Sequence, residues 1–110
     1  MYNELLNKLG FSDKSAKVYL ALLQLGPSSV RKLAEFCELN RGTTYDTLKW
    51  LQEKGIVTFY QKETKQYFVA ENPEKLLNLA KNQEEELKSA QERISKAIPE
   101  LQALYNKGGE

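Results

Sequence analysis

The stretch Ser28-Ser29-Val30-Arg31-Lys32-Leu33-Ala34-Glu35-Phe36-Cys37-Glu38-Leu39-Asn40-Arg41-Gly42-Thr43-Thr44-Tyr45-Asp46-Thr47-Leu48-Lys49-Trp50-Leu51 decides the fold. Val30, Leu33, Ala34 and Cys37 recur at i, i+3, i+4 and i+7, one apolar face of a short helix, with Arg31, Lys32 and Glu35 left outside. Ser28-Ser29 supplies its N-cap. After Glu38-Leu39, Asn40 caps a second helix in which Thr44 and Tyr45 begin a buried stripe continued by Leu48 and Leu51, and Gly55 stops it at C′. Two amphipathic helices joined by a turn of about three residues are the ingredients of a helix-turn-helix, whose second helix can enter a major groove.

Outward from this core the chain keeps its punctuation. Tyr2 to Leu9 predicts a short helix closed by Gly10. Ser12-Asp13 then opens a broader amphipathic helix through Ala16, Tyr19, Leu20 and Leu23, ended by Gly26-Pro27. From Ile56 the texture becomes β-branched and aromatic: Ile56 to Tyr60 and Gln66 to Val69 flank the charged run Lys62-Glu63-Thr64-Lys65. A hairpin placed directly after a recognition helix is a wing. Asn72-Pro73 opens a last helix as N-cap and N1, with Glu74 in its first turn. Its apolar seam, in alternating steps of four and three, is Leu76, Ala80, Gln83, Leu87, Ala90, Ile94, Ala97, Leu101 and Leu104, a coiled-coil pattern with one polar position. Pro99 lies on the opposite side and predicts a kink or restart.

The expected fold is therefore mainly α with a small β-hairpin: a winged helix-turn-helix over 1–70, a dimerisation helix over 71–106 kinked near Pro99, and a flexible tail over 107–110. Composition agrees with a single small domain plus one accessory element. The 110 residues are 41% hydrophobic and 28% charged, which excludes both wholesale disorder and a second catalytic domain. There is no histidine, so the commonest general base and metal ligand are missing, and an enzyme is not expected. The lone Cys37 cannot form an internal disulfide, and its spacing makes it a small core hydrophobe rather than a redox sensor. No window approaches a membrane span, and the start has no basic, then apolar, leader. A cytoplasmic setting is expected. No Gly-rich phosphate loop, cofactor motif, metal spacing or small-molecule site is legible.

The net charge of +1 hides an asymmetry. Residues 1–70 hold ten Lys/Arg against seven Asp/Glu, whereas residues 71–110 hold six against eight, giving +3 and −2. A basic head and an acidic helix point to double-stranded DNA as partner of the head and to a second copy as partner of the helix. Arg41, Gly42, Thr43 and Thr47 are the candidates for base contacts. Arg41 can fork onto guanine O6 and N7 or onto a phosphate, the bland alternative being an arginine folded back on Asp46 or simply solvated. Gly42 would let the backbone approach the groove, and the threonines can meet a thymine methyl or a phosphate. Ser28, Ser29 and Arg31 form a candidate phosphate site at a helix N-terminus, and Lys62 and Lys65 at the wing tip can track the adjacent backbone. Trp50, off the main stripe, is either a surface residue or an interface contact, and Glu84-Glu85-Glu86 is a solvated flank. A different class of reading stays open, a winged-helix protein-protein adaptor whose long helix coils with another protein.

Leu9-Gly10-Phe11-Ser12, Ala16 through Leu23, Leu25-Gly26-Pro27, Arg41, Tyr45-Asp46, Leu48, Leu51 and Lys54 through Val57 together resemble the TrmB-like transcriptional regulators of archaea and bacteria. Pro99-Glu100-Leu101 with Ala103-Leu104-Tyr105 is similar to the end of that family's post-wing helix. The resemblance implies a dimeric winged helix-turn-helix regulator. Members of that family often carry a C-terminal sugar-responsive domain after this point, for which the 110 residues are expected to leave no room. Two departures stand out. The family's turn carries a glycine where this chain has Glu38, and a left-handed conformation there costs a non-glycine residue roughly 1 to 2 kcal/mol, which predicts a rebuilt turn. Asn40 replaces a proline, exchanging a fixed φ for side-chain capping.

Overall fold

The computed structural model describes residues 2–109. Its elements in chain order are α1 (Asn3–Lys8), α2 (Asp13–Leu25), α3 (Val30–Cys37), α4 (Arg41–Glu53), β1 (Val57–Lys62), β2 (Lys65–Ala70) and α5 (Lys75–Gly108). The chain divides into a compact head ending at Leu79 and the helix from Ala80 onward.

Helices α2, α3 and α4 each begin at the capping residue the sequence supplies. Ser12 accepts from the Ser15 N–H at 3.1 Å, Ser29 from Lys32 at 3.2 Å and Asn40 from Thr43 at 2.7 Å. Each bond satisfies a donor that the first helical turn cannot pair internally. At the far end of α4, Gly55 at φ 77° lets its own N–H reach the Gln52 carbonyl and the Ile56 N–H reach Leu51. Leu51 and Ile56 are both buried, so this cap also joins the helix to the core.

The turn between α3 and α4 is not rebuilt. Glu38 adopts the left-handed conformation itself, φ 56° and ψ 44°. In return the Leu39 N–H donates to the Ala34 carbonyl at 2.9 Å, and the Leu39 side chain packs on the core. A paired carbonyl and a packed leucine offset a strain of this size.

Around α2 the core gathers Phe11, Tyr19, Leu22, Leu33, Leu48, Leu51 and Phe68, with Leu6 contributed by α1. Phe11 sits edge-on to Tyr19 and to Trp50, at 5.7 and 5.3 Å between centroids. Trp50 is therefore a half-buried flank of the core, and Lys54 Nζ lies over its outer face at 5.5 Å. Cys37 is fully buried, and desolvation pushes its thiol pKa up, with the Lys17 charge partly opposing the shift. Tyr45, placed by sequence on the buried stripe, is 40% exposed, and the stripe of α4 is Thr44, Leu48 and Leu51. Thr44 is buried because its hydroxyl donates to the Asn40 carbonyl at 2.8 Å.

The wing is a two-stranded antiparallel hairpin that puts Val57 opposite Ala70, Phe59 opposite Phe68, Tyr60 opposite Tyr67 and Lys62 opposite Lys65. The strands reach further into the charged tip than the apolar pattern indicates. A two-residue turn closes it, with Glu63 at φ 61°.

Helix α5 departs from expectation at three points. It begins at Lys75, because Asn72 Oδ1 accepts from the Glu74 N–H at 2.9 Å and holds Pro73-Glu74 in a turn before the helix. Pro99 neither ends nor restarts it. The missing N–H costs one intrahelical hydrogen bond, and on this exposed stretch the freed carbonyl is open to solvent. At the C-terminus the helix continues through Lys107 and Gly108, beyond the start of the expected tail. Leu79, off the expected seam, is the buried residue of this helix, and Leu76 packs partly on the core. From Leu87 the large apolar residues are exposed: Leu87 72%, Ile94 56%, Leu101 50% and Leu104 67%.

Candidate nucleic-acid interface

Three chain segments meet at one surface concavity of about 330 Å³, lined by Ser29, Val30, Arg31, Arg41, Lys65 and Gln66. The start of α3 supplies Ser29 and Arg31, the start of α4 supplies Arg41 and the start of β2 supplies Lys65. A pair of backbone hydrogen bonds holds these segments together. The Ser28 N–H donates to the Phe68 carbonyl at 3.0 Å, and the Phe68 N–H donates to Ser28 at 2.8 Å. This isolated antiparallel bridge ties the entry of α3 to β2 of the hairpin. Three cationic side chains thereby surround a helix N-terminus, whose first N–H groups have no intrahelical acceptor. Phosphate fits such a surface.

Not every residue expected at this surface reaches it. Ser28 is 1% exposed, and its hydroxyl donates to the Gly26 carbonyl at 2.8 Å, so it builds the bridge and cannot contact a ligand. Ser29 is spent on the cap but leaves its second lone pair at the rim. Arg31 Nε is 3.4 Å from Glu35 Oε1, both side chains more than 70% exposed, a pair worth about 0 to 1 kcal/mol that a phosphate can replace. Arg41 is exposed, and among the described residues the only ion pair is Arg31–Glu35, so the fold-back onto Asp46 is not seen. Lys62 stands at the tip opposite Lys65, outside the concavity.

Along α4 the expected base-contact residues divide between two sides. Gly42 is exposed in the first turn, where an added Cβ would meet only Asn40 Oδ1, at 3.5 Å. The fold does not need a glycine there. Thr43 and Thr47 are half-buried, and the Thr47 hydroxyl donates to the Thr43 carbonyl at 2.7 Å, which leaves its methyl and an acceptor lone pair to offer. Thr47 lies with Asp46 and Trp50 in a second hollow, toward Gly10, Ser12 and Ser15.

Sequence reading missed two residues on the outward row. Arg41, Tyr45 and Lys49 follow each other at i, i+4 and i+8, one line along the helix. Lys49 Nζ is 5.4 Å from the Tyr45 ring centre and 5.7 Å from that of Phe59, so one ammonium ties the recognition helix to the wing. The i+4 spacing from Arg41 carries the signal, but Tyr45 as an aromatic was assigned to the interior. Among the described residues no group of three or more metal-ligating side chains is clustered, and no helix is long and apolar enough to cross a membrane.

Comparison with known proteins fits this geometry. The family model described as "Sugar-specific transcriptional regulator TrmB" matches residues 5–74. The HTH-type sugar sensing transcriptional regulator TrmBL1 of Pyrococcus furiosus is 33% identical over 96 residues, covering 87% of this chain and 27% of that protein. The chain thus spans about a quarter of that relative's length. Among solved structures, the archaeal chromatin protein TrmBL2, described as showing a novel mode of DNA binding, superposes with a TM-score of 0.73 at 26% identity, over 89% of this chain and 37% of that one. The homodimeric winged helix-turn-helix DNA-binding domain Mb0332 of Mycobacterium bovis shares the fold at a TM-score of 0.56 and 22% identity, over 80% of this chain and 77% of that one. The chain belongs to the TrmB family of transcriptional regulators and carries a winged helix-turn-helix fold.

Proposed function

We propose that this chain is a sequence-specific reader of double-stranded DNA that acts as a homodimer on an inverted repeat. The observation that carries the reading is the shared concavity of Ser29, Arg31, Arg41 and Lys65, in which a helix N-terminus with Arg31 and Lys65 suits a backbone phosphate next to Arg41 at the start of α4. Arg41 reads base edges at the mouth of the groove, and Lys65 and Lys62 follow the backbone beside the wing. Lys62 and Lys65 face each other across the hairpin, a like-charge pair that is unfavourable until a polyanion lies against it. The exposed apolar residues Leu87, Ile94, Leu101 and Leu104 of the α5 seam supply the dimer contact, and two heads related by a twofold axis require two inverted half-sites.

Binding to a fixed 30-base-pair duplex across a salt series tests the electrostatic part. Affinity is expected to fall by orders of magnitude between about 50 and 200 mM salt as neutralised phosphates regain their counterions. Association that ignores salt and duplex length would favour a protein-protein adaptor instead.

A further inference from the structure

The geometry points to an antiparallel pairing of α5 with α5 of a second copy, in which the C-terminal end of each helix seats in an apolar groove on the head of the other. This rests on the homodimer reading above and specifies its form.

Three observations converge. The first is the charge beside the seam. With Leu87, Ile94 and Leu101 at one set of core positions and Gln83, Ala90 and Ala97 at the other, Glu86 and Arg93 flank the seam on one side, and Leu77 and Ile98 on the other. A parallel pair would set Arg93 against Ile98 and Glu86 against Gln91 of the second copy, with no opposite charges meeting. An antiparallel pair centred between Lys88 and Ser89 sets Glu86 against Arg93 twice and Leu77 against Ile98 twice. Sliding it one heptad either way brings Glu86 onto Glu86 or Arg93 onto Arg93. In the centred register Leu87 packs on Ala90, and Ala97 on Ala80, which lets the helices approach closely.

The second is exposure. Leu77 is 73% and Ile98 47% exposed, and neither lies on the strict seam, so a parallel coil would leave both largely in water. Pro99 follows Ile98 on the outward side in this register, where its ring meets solvent.

The third is independent of the heptads. Tyr2, Leu5, Leu20, Leu23, Pro73 and Leu76 line an almost wholly apolar groove of about 360 Å³ on the head. In the centred register Leu101 of the second copy arrives opposite Leu76, and Leu104 opposite Pro73. The exposed end of one helix therefore reaches the exposed groove beside the start of the other. Lys75 lies opposite Gln102 of the second copy, so the two helix starts stand roughly 27 residues, about 40 Å, apart at 1.5 Å per residue.

The test uses Ala80→Cys and Ala97→Cys in the full chain, oxidised mildly without DNA, with the parent chain and its buried Cys37 as control. Ala97→Cys alone is expected to stay unlinked, because its counterpart is about 26 Å away along the helix. An equal mixture of the two variants is expected to give a disulfide-linked dimer. Linkage of position 97 to itself would overturn the antiparallel pairing while leaving the homodimer intact. A monomer by sedimentation at micromolar concentration would overturn both. Leu5→Glu, at a position 60% exposed in the single chain, is expected to raise the dimer dissociation constant at least tenfold, and an unchanged constant would remove the groove from the interface.

Discussion

Ser28 and Phe68 exchange two backbone hydrogen bonds, at 3.0 and 2.8 Å, and this exchange fixes the start of α3 against the strand that begins at Lys65. The concavity is thus a product of this backbone bridge as much as of charge. Ser28 and Ser29 look alike in sequence but have separate tasks, one inside the bridge and one at the helix cap.

That separation is measurable. Ser28→Ala removes the hydroxyl bond to the Gly26 carbonyl and is expected to lower unfolding free energy by about 1 kcal/mol without changing the affinity of the folded protein for DNA. Ser29→Ala removes the cap of α3, with a loss of about 1 kcal/mol, and weakens DNA binding as well. Urea denaturation alongside duplex titration checks both. A DNA defect confined to Ser28→Ala would contradict the assignment.

Arg41 and the wing lysines are expected to differ in kind. Arg41→Ala should cost about 1 to 3 kcal/mol on the preferred sequence and little on others, whereas Lys62→Ala should weaken all duplexes alike and flatten the salt slope by roughly one. Competition between matched and scrambled duplexes resolves the two effects.

Gly42 gives a case where stability and binding should move oppositely. Its added Cβ would find ordinary contact with Asn40, so Gly42→Ala is expected to stabilise the fold by up to about 1 kcal/mol. If the backbone approaches the groove at this point, the same methyl lowers DNA affinity. Stabilisation with unchanged affinity would show that the groove does not come that close.

Glu38→Gly relieves a left-handed residue in the helix-turn-helix and is expected to raise stability by about 1 kcal/mol, read as a higher urea midpoint at unchanged slope. Loss of stability would mean that the Glu38 side chain, rather than its backbone, matters to the turn.

Much of this was legible because the signals are local. Ser12, Ser29 and Asn40 cap the helices their spacing assigns to them, Gly55 ends α4, and the β-branched run after Ile56 forms the wing. What escaped depends on tertiary context. Glu38 accepts a strained φ because Leu39 packs against the core in exchange, and no propensity encodes that trade. Tyr45 is outward because Thr44, with its hydroxyl returned to Asn40, fills the interior position beside it. Ser28 disappears from the candidate surface because Phe68, forty residues later in the chain, pairs with it. Pro99 reads as a helix breaker, yet the helix runs through it where the freed carbonyl is open to solvent.

Selection of bound sequences from a random duplex library by the wild-type chain at roughly 150 mM salt distinguishes a sequence-specific dimer from a non-specific binder. An inverted repeat whose half-sites lie about one helical turn or slightly more apart is expected to be enriched, with the strongest preference lost in Arg41→Ala. Recovery of no enriched inverted repeat, or of binding indifferent to sequence, would contradict the sequence-specific dimer.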